Sequence, residues 1–514
     1  MRVVLTAAEM RQAEKAAIAA GRVTGLELMQ RAGAAVFQAL LEEWPRLVAP
    51  SRARVLCGPG NNGGDGFVIA GLLRQRGWQV ELYLFGDPAA LPPDARRCRD
   101  LWCEIGEVLP WPDQDGPAEW KGALIVDALF GTGLRRPIAR ELGLSRFMPD
   151  RSLQPGQTRP RVLAVDVPSG LCADSGRVLA DSDCGWADLT VTFQTLKPGH
   201  LLAEGPDRCG NLVVADLGVA VPEPAMLSEL APPQIDLAKH RGHKFNHGHL
   251  LVLAGGVGRG GAARLAARAG LRIGAGLVTI GVAPEALAEN AARLDAIMLR
   301  EVDDARGLTD LLADPRLTAL CLGPGLGLGE REAGVMSAAL APTEGARRAT
   351  VLDADALSLL ARHPNLMPLV HDRCVLTPHE GEFARLFPDL AARLNDPAAE
   401  GPAYSKLDAA RDAAARVGCV VLIKGVDTVI AAPSGQAEIH AAIGPRAAPW
   451  LATAGSGDVL AGFVAGLMAR GIEPFTAARA AVWLHVDCAR SFGPGLIAED
   501  LPEELPKVLR LMNA

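Results

Sequence analysis

The feature that most constrains this chain is a series of short runs of Val, Ile and Leu that are continuous rather than alternating. They lie at Arg54–Cys57, Val80–Phe85, Leu124–Val126, Val162–Val165, Leu189–Thr192 and Leu212–Val214, separated by stretches of helical period. Most of these read as strands buried on both faces, which predicts a largely parallel sheet between helical layers, an α/β fold. Thr6 and Glu9 form a capping box that starts a helix into Met10–Ala20, and a second helix is expected over Leu26–Glu43.

The pattern lapses between Gly218 and His240, where Pro222, Pro224, Pro232 and Pro233 break any period. It then restarts, with strands expected at His249–Ala254, Leu277–Gly281, Ala319–Leu322, Thr350–Leu352, Cys374–Leu376 and Cys419–Ile423. Helices are expected over Gly261–Ile273 and after Gly457 and Pro474. At 514 residues, a domain over 1–217, a linker over 218–240 and a second α/β domain over 241–514 are expected.

Composition narrows the function classes. A net charge of −7 and only 22 aromatic residues disfavour a nucleic-acid surface, so anionic ligands must be held locally. The ten cysteines show no C-x-x-C pair, which argues against a zinc ribbon or a disulfide scaffold. The longest nearly apolar stretch, Val459–Ala469, is too short to span a membrane, and the N-terminus does not read as a signal peptide, so a cytoplasmic enzyme is expected. Only 8 of the 52 basic residues are lysine, which makes each lysine worth examining.

In the first half, Gly58-Pro59-Gly60-Asn61-Asn62-Gly63-Gly64-Asp65-Gly66 follows a strand and precedes a helical run, so its backbone N–H groups can cradle a phosphate. Asp127, before Phe130-Gly131-Thr132-Gly133, and Asp166, before Pro168-Ser169-Gly170, both end strands, where ligands of open parallel sheets bind. In the second half, Ala454-Gly455-Ser456-Gly457-Asp458 opens a helix. Its N–H groups can form an anion hole, with Asp458 placed to meet a substrate hydroxyl. The histidine-rich His243–His249 is read as a lead-in to a strand rather than a metal site.

Taken in order, GPGNNGGDG, VDALFGTGLRRP and AVDVPSG resemble the NAD(P)HX epimerase domain of bifunctional NAD(P)H-hydrate repair enzymes. The resemblance implies a Rossmann-like α/β/α sandwich in which an Asn61–Asp65 loop (Asn61, Asn62, Gly63, Gly64, Asp65) holds the hydrated dinucleotide. The Gly131–Pro137 loop (Gly131, Thr132, Gly133, Leu134, Arg135, Arg136, Pro137) would close over its phosphates. It further implies Asp166 as the catalytic group at the hydrated ring and a potassium ion held by Asn62, Asp127 and Ser169.

The second half is similar to the ribokinase-like, ADP/ATP-dependent NAD(P)HX dehydratases. The shared strings include GAGLVT at Gly274, LGPGLG at Leu322, DADAL at Asp353, TPHEGE at Thr377 and LIKGVDT at Leu422. This resemblance implies that Ala275, Gly325, His379 and Asp458 contact the hydrate, with Asp458 as catalytic base. Lys424, Gly425, Val426, Asp427, Thr428 and Gly457 would line the adenine nucleotide. Val257, Ala454 and Ser456 depart from the family's commoner Ser, Gly and Thr. The implied ligands are NADHX, NADPHX and ADP with magnesium, without nucleic acid or membrane, in a homo-oligomer. A vitamin or sugar kinase with an accessory Rossmann-like domain is the alternative; a noncatalytic RNA scaffold fits the first-half motifs and the acidic charge less well.

Overall fold

The computed structural model describes residues 2–512 apart from 113–119, 152–158, 181, 223–224, 240–241 and 344. Pro224 and His240, in the expected linker, therefore lie outside the described residues. There are two compact units, Arg2–Ser228 with Asp396–Ser405, and Glu229–Asn395 with Lys406–Ala514. A short strand, Leu227–Glu229, forms inside the proline-rich stretch.

The first unit holds strands β1 (Arg52–Cys57), β2 (Gln79–Leu84), β3 (Val108–Pro110), β4 (Leu124–Ala128), β5 (Arg161–Val165), β6 (Leu189–Phe193) and β7 (Asn211–Ala215). They run parallel in the order β3-β2-β1-β4-β5-β6-β7. Every residue of β4 and β6 is buried, which is why these strands carry continuous apolar runs. β3 escaped the sequence reading because it is three residues long, partly exposed and ends in proline at the sheet edge. The strand order reverses between β1 and β4, and that switch point opens a crevice at the strands' carboxyl ends.

Helices α1 (Ala7–Ala19) and α2 (Gly25–Glu43) both begin with a Thr/Glu capping box, at Thr6/Glu9 and Thr24/Glu27. Helix α3 spans Asn61–Gln75, so Asn61–Asp65 is its first turn rather than the expected loop. The glycines there serve close approach more than turning. A Cβ on Gly63 would lie 2.0 Å from the Gly58 carbonyl oxygen, so only glycine lets the helix start this near the strand end.

In the second unit the helices used below are α4 (Gly260–Arg272), α5 (Glu380–Leu386), α6 (Lys406–Val417), α7 (Ser456–Ala469) and α8 (Pro474–Phe492). Its strands are β8 (His249–Leu253), β9 (Leu277–Val282), β10 (Met298–Glu301), β11 (Ala319–Leu322), β12 (Ala349–Leu352), β13 (Cys374–Leu376), β14 (Val420–Ile423), β15 (Asp427–Ala431) and β16 (Ala437–Ala441). They run in the order β16-β15-β14-β13-β12-β11-β8-β9-β10. Pairing is parallel except at β14–β15 and β15–β16, where a hairpin turns the end of the sheet antiparallel. The fold class is thus the expected one, α/β in both units.

The apolar stretch Val459–Ala469 is the body of α7, buried along its whole length. No helix among the described residues is long and apolar enough to cross a membrane. Helix α7 crosses α4 through small residues, and a Cβ at Gly462 would lie 2.2 Å from the Ala266 carbonyl oxygen. That crossing fixes the height at which α7 begins, and so the position of Asp458. Gly462→Ala should destabilise the second unit by about 1–3 kcal/mol, the usual cost of overpacking a close contact. Chemical denaturation followed domain by domain should show this loss with the first unit's transition unmoved.

Candidate active sites

In the first unit the switch point is closed by the Gly58 N–H, which donates to the Ala128 carbonyl at 3.0 Å. Above it, the first turn of α3 presents N–H groups that lack intrahelical acceptors, in the positive end of the helix dipole. Asn61 is exposed and Asn62 half-buried, while Gly63, Gly64 and Asp65 are buried. The Gly131–Pro137 segment lies beside this turn, for a Cβ on Gly131 would be 2.9 Å from Asn62 Oδ1 and 3.0 Å from Asp166 Oδ2. Gly133, Arg135, Arg136 and Pro137 are exposed, and Thr132 and Leu134 half-buried. The segment is braced from two sides: Arg11 of α1 donates to the Thr132 carbonyl at 3.1 Å, and the Gly401 N–H to the Arg135 carbonyl at 2.9 Å.

Asp166 follows β5 in the left-handed region, φ +68°. Aspartate tolerates that region better than most residues, though at a cost of roughly 1–3 kcal/mol that the surroundings must offset. They do so with four hydrogen bonds. The Thr132 N–H donates to Oδ2 at 3.0 Å, and the Thr192 hydroxyl and Lys197 Nζ donate to Oδ1 at 2.9 and 3.1 Å. His200 Nε2 bonds the Asp166 carbonyl at 2.8 Å, while His200 Nδ1 accepts the Lys197 N–H at 3.0 Å, which fixes the proton on Nε2. Burial, with the Lys197 ammonium second, lowers the His200 pKa to about 4, so the ring is neutral.

Burial opposes ionisation of Asp166, yet the Lys197 ammonium and the hydrogen bonds to the carboxylate outweigh it and hold the carboxyl below its ordinary range. Asp65 goes the other way. Burial, then the nearby Asp166 and Glu14 carboxylates, push it well above the ordinary range. Two neighbouring carboxyl groups thus differ in proton affinity, as an acid and a base do.

Asp127 is fully buried at the end of β4 and accepts the Ser169 hydroxyl at 2.6 Å and the Ser169 N–H at 2.9 Å. Burial raises its pKa against those bonds. The Ser169 hydroxyl also accepts the Phe130 N–H at 3.0 Å. Asn62 lies against Gly131, the residue after Phe130, and its Nδ2 is buried with no hydrogen-bond partner. Asn62, Asp127 and Ser169 therefore gather around one backbone segment.

In the second unit Asp458 stands in the first turn of α7, after Gly455 at φ +90°. Burial, then the Asp353 carboxylate, raise its pKa to about 7, with Asp355 and Glu382 adding to the effect and Lys424 opposing it. Lys424 Nζ donates to buried Asp353 Oδ1 at 2.7 Å and stands 3.8 Å from Glu382 Oε2. A Cβ on Gly457 would lie 3.5 Å from that ammonium, so Lys424 faces the first turn of α7.

Lys424, Gly425 and Val426 form the tip of the β14–β15 hairpin. The Thr428 hydroxyl donates to the Gly425 carbonyl at 2.8 Å, and Lys406 Nζ to Asp427 Oδ1 at 2.7 Å. Gly325 lies on the loop after β11, whose Gly327 N–H donates to Asp355 at 2.9 Å. His379 caps α5, its Nδ1 accepting the Gly381 N–H at 3.0 Å. Ala275 stands apart from this group: it is fully buried ahead of β9, away from the strands' carboxyl ends.

Sequence reasoning missed Lys197, His200, Thr192, Arg11 and Glu14 in the first unit and Lys406 in the second, and it marked the strings that hold Asp353 and Glu382 without giving either residue a role. The scarcity of lysine was the available signal, since Lys197, Lys406 and Lys424 all make ion pairs at the two sites.

The family model described as NAD(P)H-hydrate dehydratase matches residues 250–509, and that of the YjeF-related protein N-terminus matches residues 25–199. The bifunctional NAD(P)H-hydrate repair enzyme of Coxiella burnetii is 36% identical over 98% of this chain and 98% of its own. That of Moorella thermoacetica is 34% identical over 99% of this chain and 96% of its own. An NAD(P)H-hydrate epimerase of Rhodobacter capsulatus is 49% identical and covers 40% of this chain and 95% of its own. With an epimerase-type unit followed by a dehydratase-type unit, the chain belongs to the bifunctional NAD(P)H-hydrate repair enzymes.

Proposed function

We propose that the first unit interconverts the R and S epimers of hydrated NADH and NADPH, and that the second restores the reduced dinucleotide from the S form at the expense of ADP. The observation that carries the first half is Asp166, held ionised at the switch point. In the hydrate, the carbon bearing the hydroxyl is also bonded to the ring nitrogen. Loss of the hydroxyl as water leaves a cationic iminium, and return of water to the other face inverts the centre. Asp166 stabilises the cation and takes the proton of the returning water, while Asp65, which favours its protonated form, supplies the proton for departure. The first turn of α3 and Arg135 and Arg136 meet the phosphates.

Asn62, Asp127 and Ser169 offer the oxygen ligands a potassium ion takes, and a buried carboxylate whose ionisation burial disfavours gains from a cation beside it. Potassium would supply fixed positive charge near the phosphate loop.

In the second unit Asp458 removes the proton of the ring hydroxyl as its oxygen attacks the terminal phosphoryl group of the nucleotide. The N–H groups at the start of α7 and Lys424 meet the charge that develops. The phosphorylated oxygen then departs as inorganic phosphate, the neighbouring carbon gives up its proton to that phosphate, and the double bond of the reduced ring re-forms. Magnesium would supply positive charge to the nucleotide phosphates, near the Asp353, Glu382 and Asp458 carboxylates whose charge acts on the Lys424 ammonium.

Asp166→Asn should slow R-to-S interconversion by about 100-fold or more and leave dehydration of the S form near wild type, and Asp458→Asn the reverse. Separate assays on each purified epimer check this; loss of both activities in either variant counts against the assignment. Because Asp458 works as a carboxylate, dehydratase kcat/KM should fall as pH drops through about 7. Asp355 adds to that raised value, so Asp355→Asn should move the acid limb of the profile to lower pH, and a limb that stays or rises refutes the argument. Replacing potassium with a bulky organic cation should lower the epimerase rate several-fold and spare the dehydratase.

A further inference from the structure

Lys406 opens α6 with its side chain only 6% exposed, and its ammonium is the hub of a network beneath the β14–β15 hairpin. Nζ donates to Asp427 Oδ1 at 2.7 Å, to the Lys424 carbonyl at 3.3 Å and to Glu380 Oε1 at 3.4 Å. A Cβ on Gly425 would lie 2.5 Å from Nζ, so the hairpin tip and the lysine are built against one another. Hairpin tips are ordinarily mobile. This one is fastened at four points, for besides Lys406 the Lys424 N–H donates to Pro378 at 2.8 Å, Thr428 to Gly425 at 2.8 Å and the Ala442 N–H to Val426 at 2.8 Å. Lys406 alone among these fastenings carries charge. It offsets the charge of Asp427, at the base of the Lys424–Thr428 turn, and part of that of the exposed Glu380 beside His379, carboxylates that would otherwise repel an anionic nucleotide.

The geometry points to Lys406 as the positioning residue for the nucleotide subsite: it holds the Lys424–Thr428 turn and cancels the negative charge at its base. It touches no reacting atom, so its removal weakens nucleotide capture rather than the chemical step. This rests on the reading of Lys424–Thr428 as the nucleotide site.

The test uses the full-length chain with ADP and the S hydrate. Lys406→Met should raise KM for ADP on the order of tenfold, the loss of one charge-assisted contact. At saturating ADP, kcat should stay within about twofold, and the epimerase rate on the same polypeptide should not change. Adding Glu380→Gln to Lys406→Met should recover part of the lost ADP affinity, because it removes a carboxylate whose charge Lys406 had partly offset. A purely structural role would give no such recovery. Should Lys406→Met lose its melting transition, Lys406→Gln, which keeps a donor without the charge, is measured instead. An unchanged KM for ADP, a fall in kcat with KM intact, or no recovery on adding Glu380→Gln overturns the proposal. Failure of the wild-type protein to use ADP would sink the site reading itself, before any variant is compared.

Discussion

A lysine–aspartate pair stands beyond the carboxyl ends of the strands in each unit, Lys197 with Asp166, buried at both partners, and half-buried Lys424 with buried Asp353. Taking two charges out of water costs several kcal/mol per ion unless geometry and further hydrogen bonds compensate. Both pairs meet that condition, the first through Thr192, Thr132 and Phe193 and the second through Thr377. Neither ion could be kept alone, so each pair sets the chain around it. On the first, the fixed ammonium dictates the aspartate's ionisation, while the backbone N–H of the same lysine sets the tautomer of His200. On the second, it sets the balance of charge in which Asp458 titrates.

The sheets explain why the pairs sit where they do. Parallel strands are buried on both faces and offer polar chemistry a place only at their ends, and a reversal of strand order leaves a crevice there. In the first unit that crevice lies between β1 and β4, directly under the start of α3. Close backbone contacts then set the heights of the two helices that deliver N–H groups, α3 through Gly63 and α7 through Gly462.

Much of this was legible in the sequence. Continuous apolar runs marked β4, β5, β6, β8, β11 and β12, and the glycine-bearing strings marked the strand ends that carry the sites. What escaped did so for physical reasons. The β15 and β16 strands are an antiparallel hairpin, in which polar Asp427, Thr428, Glu438 and His440 interrupt the apolar pattern that identified the others. Lys197 and His200 reach Asp166 from the segment after β6, about thirty residues away in sequence, and no local pattern reports a partner brought in by strand adjacency. Asn61–Asp65 reads as a loop because glycines break helices on average. Here tertiary contact overrides that cost.

The backbone at Asp166 carries a consequence for how this chain can change. At a φ of +68° glycine fits freely, and asparagine and aspartate are the side chains that strain the backbone least. Any other replacement must overcome more torsional strain, and every replacement that removes the carboxylate strands the Lys197 ammonium in a dry interior. Sequence drift at this position is therefore filtered twice, first by folding and then by chemistry. A descendant that lost epimerisation but kept the shape of the crevice would have to change the lysine along with the aspartate.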